Sequence, residues 1–143
     1  MSAETILKRL RVFLLAFSIF VFAGAIFELS FLHHFGEELQ IMPFILIPAG
    51  IVLAAMMLIK PSPKMARVVG IGMWIVFVGG IIGMIVHVSG NLESILEGGG
   101  SASFGQIITS AVGGRNPLLA PGILSIAAAI ALFAIYKYPA QEK

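Results

Sequence analysis

Residues 68–88 read VVGIGMWIVFVGGIIGMIVHV, twenty-one positions with no charged side chain and a single histidine, His87, next to the end. About 20 helical residues, each rising about 1.5 Å, cross a hydrocarbon core about 30 Å thick. A membrane β-strand is half that length and alternates polar with apolar residues, which this run does not do. It therefore reads as a membrane-spanning helix. Three more runs of the same kind lie around it. Residues 12–32 carry one charge, Glu28, and residues 41–59 and 117–136 carry none. With their flanks, the expected spans cover about 10–32, 41–59, 67–88 and 117–136. The fold class that follows is all-α: an integral membrane four-helix bundle, antiparallel and up-down, forming a single domain over 1–143.

Composition agrees with this reading. Hydrophobic residues make up 59% of the chain and charged residues 11%, against about 45–50% and about 25% in soluble domains. Too little polar surface exists to cover such a core in water. The absence of cysteine excludes disulfides, thiolate metal sites and cysteine nucleophiles. A net charge of +2 with scattered basic residues leaves no footprint for nucleic acid.

The charges orient the spans. With both termini cytoplasmic, Lys8, Arg9, Arg11, Lys60, Lys64, Arg67, Lys137 and Lys143 fall inside, and Arg115 alone falls outside. That asymmetry is the positive-inside pattern. Glu37, Glu38, Glu93 and Glu97 fall outside, and Glu4 and Glu142 inside. Only an even number of spans puts all three basic clusters on one side. The N-terminal basic residues, the apolar run and Ala23-Gly24-Ala25 also resemble a cleavable signal. The run continues through residues 26–32, longer than a usual signal core, and so reads as a retained span.

The inner turn Lys60-Pro61-Ser62-Pro63-Lys64 is short and stiffened by proline, which sets the second and third spans antiparallel. Pro43 fits the first turn of the second span, whereas Pro48 lies deeper and is expected to kink it. The first outer turn is short and contains His33 and His34. The second, residues 89–116, is long. Within it residues 91–97 and 104–112 have helical patterns, separated by Gly98-Gly99-Gly100, and Asn116-Pro117 opens the fourth span with a capping residue and proline. No internal repeat of the transporter kind is evident.

Gly72, Gly79, Gly83 and His87 share a ridge of the third span. Small residues permit close helix approach in lipid, and the plain reading is packing against the first span near Ala16 and Gly24. The alternative is room for a haem ligated by His87, with His33 or His34 as a second ligand. Glu28 is an ionisable group within a span and hence a functional candidate. It either snorkels to the outer headgroups or faces the bundle, with His87 and then Arg115 as its expected partners. These residues fix no cofactor; a divalent cation such as zinc is a candidate ahead of haem, held by Glu28, His87 and Glu93 with His33 or His34, and with Asn91 on the face of His87. The doubled Glu-x-x-His of di-iron bundles and the His-Glu-x-x-His of zinc proteases are both missing.

Gly83-Met-Ile-Val-His87-Val-Ser-Gly-Asn91-Leu-Glu93, followed by Asn116-Pro-Leu-Leu-Ala-Pro-Gly122, resembles a pattern in small uncharacterised bacterial membrane proteins with four spans. The resemblance covers about a third of the chain. It implies the four-helix membrane architecture and a bacterial inner-membrane setting, and no activity.

Function stays open among three classes. The leading expectation is an accessory or scaffolding subunit, working through helix contacts with other membrane subunits or with itself. Next is a metal- or haem-binding protein with an outer site at Glu28, His87 and Glu93. Third is ion or small-solute movement by an oligomer, weakened because the second and fourth spans offer almost no polar groups. Ser101, Ser103 and Ser110 have no paired base and orienting acid, so no hydrolase triad is supported.

Overall fold

The structure, a computed structural model, describes residues 1–31, 41–97, 103–114 and 118–138. These residues form five helices and no strand: α1 (Ala3–Phe31), α2 (Met42–Ile59), α3 (Pro63–Glu97), α4 (Phe104–Gly113) and α5 (Leu119–Ile135). Three of them, α1, α2 and α3, are long and apolar enough to cross a membrane. The fourth apolar run forms α5, 17 residues long, which rises roughly 26 Å.

Local sequence accounts for the boundaries. α1 starts earlier than its apolar run because Ser2 caps it, accepting from the Thr5 backbone N–H at 3.3 Å. Ser62 does the same for α3, accepting from the Met65 N–H at 3.1 Å, with Pro63 as the first helical residue. Pro43 occupies the first turn of α2, and Pro48 lies inside that helix.

α3 ends at Glu97, nine residues beyond its apolar run. Ser89 and Gly90 do not interrupt it, because Leu92 and Ile95 keep the helical apolar pattern going and half-bury against neighbours. At about 1.5 Å per residue, its 35 residues rise roughly 52 Å, well beyond a hydrocarbon core of about 30 Å. The connection that follows the third apolar run is therefore partly a helix extending beyond that run.

The helices pack in ring order. α2 lies between α1 and α3, and α5 closes the ring by packing against both. α5 is also near α2, across the short diagonal, whereas α1 and α3 are not packing neighbours. The Phe22 side chain of α1 sits over Gly50 of α2. Leu53 and Leu46 of α2 sit over Gly72 and Gly79 of α3. Ser125 and Pro121 of α5 sit against Gly80, and Pro121 also against Gly83. The α2–α3 pairs and the α3–α5 pairs each run in opposite chain directions, so α2 and α5 are both antiparallel to α3.

α5 supplies the axis of the core. Ala127, Ala128 and Ala131 are fully buried, and methyl-sized side chains let α1 and α3 close on it from two sides. Two hydroxyls tie these contacts. Ser18 of α1 donates to the Ala127 carbonyl at 2.8 Å, and Ser125 donates to the Phe77 carbonyl of α3 at 2.9 Å. In an apolar interior such bonds satisfy groups that would otherwise be costly.

One end of the molecule is held by Arg11. Its guanidinium donates to the Tyr136 and Lys137 carbonyls at 3.4 and 3.3 Å and lies 5.0 Å from the Tyr138 ring centroid. A cation beside the last carbonyls of α5 complements the negative end of that helix. Lys137 itself adopts a left-handed φ of 45° as the chain leaves α5.

Candidate functional site

The outer end of the molecule, as the charge pattern orients it, gathers the ends of α1 and α3 with α4 and the start of α5. Glu28 is exposed on α1. His87 is half-buried on α3, and Glu93 is exposed six residues further along the same helix. Since α2 and α5 separate α1 from α3, Glu28 and His87 do not belong to one packed pair of helices. Among the described residues no three of His, Asp and Glu gather as metal ligands. His33, His34 and Arg115 lie outside the described residues.

Asn91 has a defined structural position. It is only 2% exposed, and its amide nitrogen donates to the Ala111 carbonyl of α4 at 3.2 Å. Gly114 follows α4 against the same side chain: a Cβ there would stand 2.8 Å from Asn91 Cγ and 2.9 Å from its Oδ1. Asn91 thus joins the projecting part of α3 to α4, and Gly114 lets the two come together. His87 and Asn91, one helical turn apart, share a face of α3.

α4 is defined by its own caps. Ser103 Oγ accepts from the Gln106 N–H, and the Gln106 side chain accepts from the Ser103 N–H at 2.8 Å, a reciprocal capping box. The Ser103-x-x-Gln106 spacing carries that signal in the sequence. Ser62 before Pro63 carries a comparable one. Ser18 and Ser125 are visible as lone hydroxyls in apolar runs, but their acceptors 109 and 48 residues away are not. Arg11 and its carbonyl partners, 125 and 126 residues apart, have no local signal at all.

The glycines of α3 face two different helices. Gly72 and Gly79 lie against leucines of α2, and Gly80 and Gly83 lie against α5. The partner expected for this ridge, the first span, is not adjacent to α3. The reason is geometric: α5 occupies the position between them, with its alanines filling the space. Gly24 lies on the exposed side of α1, with no atom within 4 Å of where a Cβ would stand.

The interior is given over to packing. Among the described residues, every buried side-chain nitrogen and oxygen has a hydrogen-bond partner. The outer surface is strongly apolar by contrast. On α1 the rings of Phe13, Phe17 and Phe20 stack in sequence at 6.0 and 6.4 Å, and Phe27 and Phe31 pair at 4.6 Å. All five are exposed. Such a surface fits lipid, and the chain is a helical membrane protein. No protein-family model, curated protein or solved structure matches the chain.

Proposed function

We propose that the chain is a four-span protein of a bacterial inner membrane, with both termini cytoplasmic, that serves as an accessory or scaffolding subunit through contacts between helices. α5 is the fourth span in this reading. Its support is the ring in which α5 packs against both α1 and α3, running opposite to each, since Ser18 meets Ala127 and Arg11 meets Lys137 while Gly80 meets Ser125 and Gly83 meets Pro121. The helix registers also bring Lys60 and Lys64, Arg11, and Lys137 toward one end, where positive charge favours the cytoplasm.

The observation that carries the scaffolding role is the α1 surface. Its interior face is satisfied by Leu15, Ser18, Phe22, Ala25 and Leu29, while five phenylalanines stand on the other side. Helix association in lipid depends on van der Waals packing, and rigid stacked rings present a shaped surface for it. Extraction into native lipid nanodiscs tests this. The expected particle contains more protein than one 15.2 kDa chain and loses the excess in a Phe17→Ala/Phe20→Ala variant. A particle holding a single chain and no other protein would overturn the proposal.

A further inference from the structure

α4 has no charged residue, yet it is two-faced. Phe104, Ile107, Ile108 and Val112 fall on one side, and Gln106, Thr109 and Gly113 on the other. Among the described residues, a flank of α4 makes its contact with α3, where Ser110 and Ala111 are half-buried. The apolar side stays uncovered: Phe104 is 78% exposed and Val112 57%. A surface helix in water would turn this side toward a core, and here the core lies elsewhere.

Two features identify what covers it. The first is height. The Asn91 bond holds Ala111 one turn beyond His87, close to where the apolar run of α3 ends at Val88. One turn is about 5.4 Å, comparable with the headgroup layer that adds about 5–8 Å to each side of the hydrocarbon core. The second is continuity. Val112 borders an open groove of about 340 Å³ whose other walls are Leu118, Leu119, Gly122 and Ile126 of the α5 segment. Leu119 and Ile126 are exposed on the outside of α5. Val112, at one end of the apolar face of α4, therefore adjoins the exposed apolar side of α5.

We propose that α4 is an interfacial anchor, its Phe104–Val112 side lying in the outer headgroup–acyl boundary and the α4–α5 groove seating lipid acyl chain. The inference rests on the four-span reading and adds a lipid-binding surface to it. Amphipathic helices hold to membranes in this way by burying apolar area at the interface. Asn91 and the capping box set the roll of the helix so that its apolar side faces lipid.

The cysteine-free chain permits a direct test. Ile108→Cys, Thr109→Cys and Val52→Cys, the last exposed near the middle of α2, are each labelled with an environment-sensitive fluorophore. The protein is reconstituted in vesicles of phosphatidylethanolamine and phosphatidylglycerol. Quenching is measured with iodide on both sides of the membrane and with lipids spin-labelled at shallow or deep acyl positions. The label at 108 is expected to be quenched several-fold more by shallow spin-labelled lipid than by iodide, and the label at 109 the reverse. The label at 52 should respond to deep spin-labelled lipid. If 108 responds to iodide as strongly as 109 while 52 reports lipid, the anchor is overturned and the spanning reading stands. Protection of 108 from both quenchers would mean that protein covers it, which also overturns the anchor. Iodide access at 52 would remove the spanning reading and the anchor with it.

Discussion

At Gly80 the backbone of α3 meets that of α5 so closely that an added methyl would stand 2.8 Å from the Pro121 carbonyl oxygen and 3.0 Å from the Ser125 nitrogen. Backbone cannot swing aside as a long side chain can. Gly80→Ala should therefore cost about 1–3 kcal/mol, the usual range for overpacking. Gly24→Ala, with open space around it, should be neutral or stabilising by up to about 1 kcal/mol from helix propensity. Reversible unfolding in mixed detergent micelles measures both, and equal effects would contradict the packing described. The sequence shows both residues as small positions in apolar runs and does not separate them. The difference arises only when α5 is brought against one of them and not the other. The same holds for Asn91. Its polarity and its turn spacing from His87 are legible in the sequence, and its acceptor, the Ala111 carbonyl, is a product of the fold.

Among elements, α4 depends most on local sequence. It is 10 residues long and buries no side chain fully. Short helices of this kind are marginal alone, so its ends matter. Ser103→Ala removes one half of the capping box and should cost about 1 kcal/mol of local stability. Hydrogen exchange should rise over 104–113 and stay unchanged in the α5 core. Uniform loss of protection through the protein would show that α4 is not a separate unit. α3 teaches the complementary lesson. Its apolar run marks the part suited to lipid, and its helical part is longer, because hydropathy reports the solvent and the hydrogen-bonded backbone continues regardless. The Leu92 and Ile95 pattern beyond His87 signals the extension, while Ser89 and Gly90 obscure it.

For the whole molecule, the distribution of charge sets the expected orientation. Single cysteines at Ser2, Ser62 and Ser94 give three reporters in a chain with none of its own. With membrane-impermeant maleimide on intact cells, Ser94→Cys should be labelled. Ser2→Cys and Ser62→Cys should react only after the membrane is opened. Labelling of both Ser2→Cys and Ser62→Cys in intact cells would reverse the bundle, and labelling of only one of the two would make the number of spans between them odd.

The sequence by itself determined the solvent and the secondary structure: long uncharged runs demand lipid, and a backbone in lipid must satisfy its own hydrogen bonds as helix. Capping serines and prolines placed several of the boundaries for reasons equally local. Only the tertiary structure decided which helices are neighbours. It set α5 between α1 and α3, turned the glycines of α3 toward α2 and α5, and placed Glu28 and His87 on helices that do not pack together. Residues 68–88 show the division well. Their composition dictates a helix in a membrane. The shape of their surface fits more than one partner, because apolar side chains offer no directional bond to choose among helices. Close packing of alanine and glycine, and two serine hydroxyls finding distant carbonyls, made that choice.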